Sequence, residues 1–311
     1  SFIRTRKVEN TAVIEGFMSW SWCDDADAFW VKRRSSLQAD ESKNCLAWAA
    51  IARSKPGGNE PNPTRFLTFE EGSSAIAHAF LYPAEQHLIL GAMTASQAGQ
   101  LVTHLHTQDI AVRLVEGPCE AAQAFSEGWA EATGCAQEQQ MDQGLYELTC
   151  VTMPDAAGGS LVPATEAYRE NLHALVTGFC ACFPDQHMTP ARIERRVNRF
   201  LDERRAWLWR NRNHEIVSMA AVVRESPNTS SISWVYTPPK QRSQGYAERL
   251  VASLSQAQLD AGKQACNLHT DLQNSTSNGI YRRVGYTMIA RSFRIRLLDG
   301  ETPGDNHQVN R

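Results

Sequence analysis

The segment with the clearest chemical potential is RSQGYA, residues 242–247, which lies between a predicted strand and a predicted helix. The first turn of a helix has unpaired backbone N–H groups and the positive end of the helix dipole, so it suits a phosphate. Gly245 lets the backbone approach an anion without an intervening Cβ, Ala247 keeps the next turn small, and Arg242 adds positive charge. The alternative interpretation is a basic turn followed by a surface helix.

A second segment, HTDLQNSTSNGIYRRVGY at residues 269–286, combines a strand end with a short helix. Tyr281 lies one helical turn beyond Ser277. A phenol titrates near ~10, so it is protonated at neutral pH and can donate a proton; the alternative is a packed tyrosine. Asn274 could bind a ligand or cap the following helix, for which Ser275 and Thr276 are equally suited.

Helices and strands alternate around these segments. In the C-terminal half, periodicity predicts helices over 164–183, 189–204, 246–261 and 276–284, and strands over 206–210, 215–224, 231–237, 265–272 and 286–297. In the N-terminal half it predicts helices over 96–107 and 119–133, and strands over 110–116 and 145–151. The small, Gly- and Pro-containing stretch 153–163 separates the halves. We therefore expect domains at 1–153 and 164–298, and a flexible tail at 299–311.

Composition narrows the class of protein. The 311 residues are 42% hydrophobic and 21% charged, with a formal net charge of −3, so a soluble protein without a nucleic-acid partner is expected. No apolar run approaches the ~18 residues that span a bilayer, so no membrane partner is expected. Eight scattered cysteines and nine scattered histidines form neither CxxC nor HExxH, which predicts no metal and a reduced, cytoplasmic protein. The N-terminal aromatics are expected in the core: Phe17, Trp20, Trp22, Phe29, Trp30 and Trp48.

Other phosphate-binding motifs are missing. There is no GxxxxGK[ST] and no GxGxxG after an early strand, so a nucleoside triphosphatase or a dinucleotide dehydrogenase is not supported. The two segments together resemble the GNAT acetyltransferase superfamily, whose phosphate loop has the pattern [QR]-x-x-G-x-[GA] and whose later segment reads N-x-x-[AS]-x-x-x-Y followed by G-[FY]. The resemblance covers residues 164–297. The matching positions are Arg242, Gly245, Ala247, Asn274, Ser277, Tyr281, Gly285 and Tyr286.

This resemblance implies an α/β (α+β) fold with two GNAT-like domains, each a mixed, mostly antiparallel twisted sheet flanked by helices. The N-terminal half is the degenerate member of such a tandem. Its nearest equivalent of the phosphate loop, GAMTASQAGQL at residues 91–101, has the wrong order, and it lacks the N…Y…GF signature. It is expected to shape the acceptor pocket or the interface between domains.

The resemblance also implies acetyl-coenzyme A (CoA) as co-substrate. Its pantetheine arm would pair with the strand 231–237 through backbone at Val235 and Thr237, in a gap between splayed strands. Amides near Val235 and Tyr236 would stabilise the oxyanion, and Tyr281 would be the general acid. The predicted cofactor-binding residues are Val235, Thr237, Arg242, Ser243, Gln244, Gly245, Tyr246, Ala247, Asn274, Ser277, Asn278 and Tyr281.

The implied activity is acetyl transfer to a primary amine of a small molecule or peptide by direct attack, in a monomer or homodimer. No cysteine is placed to argue for a covalent intermediate. The alternative is a catalytically inactive module that binds CoA or acyl-CoA and regulates a partner. The general base stays open. Asp271, at the end of the fifth predicted strand, or Glu225, beyond the end of the third, could serve, and the alternative for both is a solvated or structural role.

Overall fold

A computed structural model describes residues 18–23, 25–54, 63–72, 74–155, 158–183 and 188–298. In the N-terminal half the elements are β1 Met18–Cys23, α1 Ala26–Ala39, α2 Cys45–Arg53, β2 Arg65–Glu71, β3 Ser74–Tyr82, β4 His87–Leu90, α3 Ala95–His106, β5 Leu114–Pro118, α4 Cys119–Thr133 and β6 Ala136–Leu148. In the C-terminal half they are β7 Gly159–Pro163, α5 Arg169–Cys180, α6 Pro190–Asp202, β8 Ala206–Asn211, β9 Ile216–Glu225, β10 Thr229–Tyr236, α7 Tyr246–Asp260, β11 Ala265–Asp271, α8 Ser275–Val284 and β12 Thr287–Leu298. Phe17 and the predicted tail 299–311 lie outside the described residues.

Local sequence explains where the helices around the site begin and end. The Thr189 hydroxyl accepts a hydrogen bond from the Arg192 N–H, and Pro190 takes the first position of α6, as predicted. Gly285 ends α8 in a left-handed conformation with φ of 110°, which glycine adopts without steric cost. The helix predicted from residue 164 begins at Arg169 instead, because Gly159–Pro163 pairs with β8 as a strand.

The twelve strands of the described residues form one sheet, in the order β1-β2-β3-β4-β5-β12-β6-β11-β10-β9-β8-β7. Among these strands, only β4–β5 and β10–β11 are parallel pairs. The mixed, mostly antiparallel sheet flanked by helices confirms the predicted fold class.

The halves exchange their last strands. β6 leaves the N-terminal half and pairs with β11, whereas β12 returns from the C-terminal half and pairs with β5; β6 and β12 also pair with each other. Each half of the sheet is therefore completed by a strand of the other. The division at residues 153 and 164 stays a prediction, and the hydrogen-bonded sheet runs across it.

Helices cover both faces of the sheet. One face packs against α3, α4 and α7, and the other against α1, α2, α5 and α6. The N-terminal aromatics contribute to these cores as predicted, with Trp20 and Phe29 buried and Trp22, Trp30 and Trp48 packed at their edges. Within the described ranges no helix is long and apolar enough to cross a membrane.

A buried carboxylate joins the two halves on the face that α2 covers. Glu41, in the turn between α1 and α2, accepts hydrogen bonds from the backbone and side-chain amides of Asn228, both at 2.8 Å, and from the Ser226 hydroxyl. Asn267 on β11 donates to Ser42 at 3.3 Å. Because Glu41, Ser226 and Asn267 are buried and hydrogen-bonded, they fix the start of α2 beside the start of β10.

Candidate functional site

The site begins where β10 separates from β11. Their parallel pairing covers only residues 229–231 of β10, and register shifts interrupt the pairing of β10 with β9 after Ser231 and Ser233. Trp234 lies at this bulge with φ of 56°, a conformation that costs a bulky residue on the order of 1–3 kcal/mol. Its ring is held by Phe179 at 4.5 Å and Phe200 at 5.5 Å between centroids. Packing of the aromatic rings therefore maintains the bulge that opens the sheet.

The end of β10 is fixed from both sides. The buried Ser218 hydroxyl on β9 donates to the carbonyl oxygen of Tyr236 at 2.9 Å and lies 2.9 Å from the Thr237 hydroxyl. The Tyr236 ring packs against Gly178 of α5, where a Cβ atom would lie only 2.5 Å from its phenol oxygen. The backbone of residues 235–237 is thereby fixed beside the gap.

The predicted phosphate loop connects this strand to α7. Ser243 and Gly245 both have positive φ, 62° and 74°, and Gly245 occupies the N-cap position of α7 without a side-chain cap. The Arg242 side chain donates through Nε to the carbonyl oxygen of Thr237 at 3.0 Å, which closes the loop onto the strand. The first turn of α7 therefore keeps its N–H groups free of side-chain acceptors among the described residues.

A cavity of about 700 Å³ extends from this loop to α8. It brings together most of the predicted site: Val235, Tyr236, Thr237, Arg242, Ser243, Gly245, Tyr246, Ala247, Asn274, Ser277 and Tyr281. Two predicted residues do not line it. Gln244 is exposed and accepts a hydrogen bond from the Tyr246 hydroxyl at 3.0 Å. Asn278 lies in the first half of α8, and its side chain is directed to the turn between β11 and α8.

The two asparagines of α8 have structural partners. Asn274 caps the helix, since its Oδ1 accepts from the Ser277 N–H at 3.1 Å. Asn278 is 2% exposed, and its amide donates to the carbonyl oxygens of Asp271 at 3.0 Å and Leu272 at 3.1 Å. The structure therefore places Asn278 as a brace of the turn rather than toward the cavity, because a buried amide must satisfy the carbonyls beside it.

Tyr281 is the titratable group buried at the far wall of the cavity. It is 7% exposed. Burial raises the pKa of its phenol to about 12, and the Ser277 hydroxyl partly offsets this increase. Its ring meets the edge of Tyr286 at 6.0 Å between centroids, and the Tyr286 hydroxyl lies 2.8 Å from that of Ser255. The Tyr281 phenol is thus held in place and stays neutral at physiological pH.

Neither of the two candidate bases lines the cavity. Glu225 forms ion pairs with Arg205 at 3.4 Å and Lys263 at 3.6 Å, and Asp271 accepts from the Gln273 N–H at 2.9 Å. Glu248 does line the cavity. Its carboxylate is held by the Arg283 guanidinium through contacts of 3.0, 3.0 and 2.7 Å.

The C-terminal end of α5 and the turn that follows it, residues 181–183, form a wall that sequence reasoning missed. Phe179, Cys182 and Phe183 line the cavity beside Tyr236. The Cys182 thiol is exposed and donates to the Gly178 carbonyl at 3.5 Å. Helical spacing of three and four residues was the available signal, but it could not show which strand that face meets.

The chemistry of this cavity suits a ligand with phosphates and a carbonyl group. The uncapped helix start offers N–H donors to an anion, the separated strand offers backbone groups, and Tyr281 offers a proton. Within the described residues, no cluster of three or more His, Cys, Asp or Glu side chains could hold a metal ion.

Comparison with known proteins agrees with this geometry. Residues 211–295 match the family described as FR47-like protein, and no curated protein matches the chain. A Drosophila protein of known structure is 12% identical, with a TM-score of 0.61, and the match covers 91% of this chain and 99% of that one. A GCN5-related N-acetyltransferase from Sphaerobacter thermophilus is 15% identical, with a TM-score of 0.58 and coverage of 88% and 91%.

A GNAT-family acetyltransferase from Colwellia psychrerythraea is 11% identical, with a TM-score of 0.53 and coverage of 90% and 99%. At these identities the structures are similar in fold. The residues that match the FR47-like family, 211–295, include the loop 242–247 and Tyr281. The shared fold is the one that the two sequence motifs predicted.

Proposed function

We propose that this protein transfers an acetyl group from acetyl-CoA to a primary amine by direct attack. The observation that carries the proposal is the meeting of an uncapped helix start and a buried, neutral tyrosine in one cavity at a gap in the sheet. The fold is compatible with acetyl transfer, because solved acetyltransferases share it.

The residues present fit the phosphates and the pantetheine arm of CoA. The loop 242–247 has the left-handed glycine and the free N–H groups that a diphosphate requires. Residues 235–237 offer backbone groups on the side where β10 has lost its β11 partner. Bound there, acetyl-CoA would supply an activated acyl group with a thiolate as leaving group.

Two of the steps are assigned to groups of this chain. The N–H groups near Val235 and Tyr236 would stabilise negative charge on the carbonyl oxygen under attack. Tyr281 would donate its proton to the departing sulfur, and its buried position keeps that proton in place until attack.

The amine must also lose a proton. Since Glu248 is paired with Arg283, we propose that the amine is deprotonated by solvent before it attacks. The rate at low amine concentration should then rise with pH, up to the pKa of the amine itself.

Thiol release from acetyl-CoA with a panel of primary amines tests the proposal. We expect release that depends on both the protein and an amine, together with N-acetylated product. A matched variant, Cys182→Ser, should retain turnover if the amine attacks directly. Loss of turnover in Cys182→Ser, with a trapped acyl-cysteine, would instead indicate a covalent route. Tight CoA binding without turnover of any amine would favour the regulatory CoA-binding module.

A further inference from the structure

The cavity has one charged side and one aromatic side. Among the described residues that line it, the charged side chains lie on the loop, on α7 and on α8: Arg242, Glu248 and Arg283. Glu248 and Arg283 form an ion pair with each other. The wall at the end of α5, formed by Phe179, Cys182 and Phe183 and called the α5 wall below, contributes no Asp, Glu, Lys or Arg side chain.

The two rings of the α5 wall belong to a row of packed aromatic side chains. Phe179 lies 4.5 Å from Trp234 and 5.2 Å from Phe183, measured between ring centroids. Phe183 ends the row and is 37% exposed. An apolar surface that lines a cavity and stays accessible to solvent is typical of a place where an apolar part of a ligand binds.

The α5 wall and Tyr281 lie on opposite faces of the sheet. Trp234 and Tyr236 of β10 pack into the core that α5 and α6 cover, whereas Val235 packs into the core that contains Tyr281. This agrees with the alternation of side chains along a strand. Because Val235, Tyr236 and Tyr281 all line the cavity together with the α5 wall, the cavity passes from one face to the other beside the end of β10.

The stereochemistry of a thioester determines which part of the donor meets the α5 wall. In the proposed function the sulfur lies near Tyr281, and the carbonyl oxygen lies near the amides of Val235 and Tyr236. The three substituents of a carbonyl carbon spread apart in one plane, so the acyl group extends away from both the sulfur and the oxygen. It therefore points away from Tyr281 and toward the α5 wall, whereas an attacking amine approaches from above or below that plane.

An acetyl group would use little of this wall. It extends only one methyl group beyond the carbonyl carbon, so it would leave the Phe183 ring in contact with water. Each further CH₂ or aromatic carbon that covers the ring is removed from water, which favours binding. A charged acyl group would lose its hydration without a partner of opposite charge on this wall.

We propose that the preferred donor is an acyl-CoA whose acyl group is apolar and larger than acetyl, and that Phe179 and Phe183 bind this group. The inference rests on the proposed function and names the chemical class of its donor. The transfer balances as it does for acetyl: the C–S bond breaks, a C–N bond forms, and Tyr281 gives its proton to the departing thiolate. The amine loses one proton to solvent, and solvent returns one to Tyr281.

A series of donors tests this inference in the full chain. Acetyl-CoA, butyryl-CoA and 3-phenylpropanoyl-CoA are compared by kcat/KM for thiol release with one amine at a fixed concentration. All three have a saturated carbon next to the carbonyl group, so their intrinsic reactivity is similar. We expect kcat/KM to rise with the apolar size of the acyl group, by about tenfold or more from acetyl to 3-phenylpropanoyl. 3-Hydroxybutyryl-CoA, which adds a hydroxyl to butyryl-CoA, should be used less well than butyryl-CoA.

Phe183→Ala should lower this preference for the larger donor by about fivefold or more, through a higher KM for 3-phenylpropanoyl-CoA. Met288→Ala is the matched control. It removes an exposed hydrophobic side chain of β12 that does not line the cavity, and it should leave the preference unchanged. The melting temperature and the affinity for unacylated CoA show that each variant has folded. The donor series with the wild-type protein decides the inference even where a variant unfolds.

Equal kcat/KM for the three donors, or a preference that Phe183→Ala retains, would overturn the inference and leave acetyl transfer intact. The α5 wall could instead bind the acceptor. In that case 2-phenylethylamine would be preferred to ethanolamine with acetyl-CoA as donor, and Phe183→Ala would remove that preference without changing the order of the donors. This result would also overturn the inference.

Absence of turnover with every donor and every amine would contradict the proposed function. The inference is then decided by calorimetric titration of acetyl-CoA, butyryl-CoA and 3-phenylpropanoyl-CoA. An affinity that rises with the apolar size of the acyl group, and rises less in Phe183→Ala, supports it. Equal affinity for the three thioesters overturns it.

Discussion

The two halves start equivalent helices in different ways. At the start of α3, the Thr94 hydroxyl accepts from the Gln97 N–H at 3.2 Å, and the Gln97 side chain accepts from the Thr94 N–H at 2.8 Å. At the start of α7, Gly245 offers no side-chain cap. The N-terminal half therefore satisfies its helix start with side chains, whereas the equivalent donors of the C-terminal half have no side-chain cap.

The halves also differ between their parallel strands, which separate in the C-terminal half, and at the position that Tyr281 occupies in α8. Between β4 and β5, Leu90 packs so closely on Gly117 that a Cβ on that glycine would lie 2.7 Å from the Leu90 Cβ. Both α4 and α8 end at a glycine in a left-handed conformation. Four residues before that glycine, α8 has Tyr281, whereas α4 has Ala130. One fold thus carries an open site in one half and a filled, capped counterpart in the other.

Gly245→Glu should have the largest effect on the difference between the two halves, because it changes the uncapped loop before α7. The longer side chain would fill the loop, repel phosphate, and strain a position with φ of 74°. We expect no detectable CoA binding by calorimetry. Gly99→Glu, in an open position on α3, is the control and should bind CoA normally. Retained binding in Gly245→Glu would rule out this loop as the phosphate site.

Leu90→Ala should test whether the closed half is needed for the open one. Leu90 is 4% exposed, and removal of such a side chain costs roughly 2–5 kcal/mol. Because β6 and β12 are exchanged, we expect one unfolding transition in urea, with tryptophan fluorescence and far-ultraviolet circular dichroism changing together. Separate transitions for the two probes would show that the halves are independent domains.

Short motifs predicted the local conformations at Gly245 and at the start and end of α8, because the geometry of a glycine loop and of a helix cap follows from a few neighbouring residues. The strand exchange could not be predicted this way. β6 was expected over 145–151 and begins at Ala136, since its partners β11 and β12 lie far along the chain. The bulge at Trp234 depends on contacts with Phe179 and Phe200, which lie on two other helices. The orientation of the Asn278 side chain depends on its hydrogen bonds to backbone carbonyls that come close only in the folded chain.

Tyr281→Phe should separate chemistry from binding in the open half. We expect turnover to fall about tenfold or more, because the departing sulfur loses its proton donor, while the affinity for CoA stays nearly intact. Since burial holds the pKa of Tyr281 at about 12, its ionisation should not lower wild-type turnover as pH rises from 7 toward about 10. Stopped-flow thiol release against pH measures both effects. Unchanged turnover in Tyr281→Phe would remove this residue from the mechanism.

The smallest expected effect concerns the cap of the closed half. Thr94→Ala removes the hydroxyl that accepts from the Gln97 N–H, which should cost about 1 kcal/mol of unfolding free energy. The same substitution leaves a backbone N–H at the start of α3 without its side-chain acceptor. It therefore also tests whether the cap alone prevents the N-terminal half from binding an anion. We expect urea denaturation to show the lost stability and calorimetry to show CoA binding at a single site, because Leu90 still fills the gap between β4 and β5. A second CoA bound by Thr94→Ala would mean that the cap alone, and not the filled strand gap, separates the two halves.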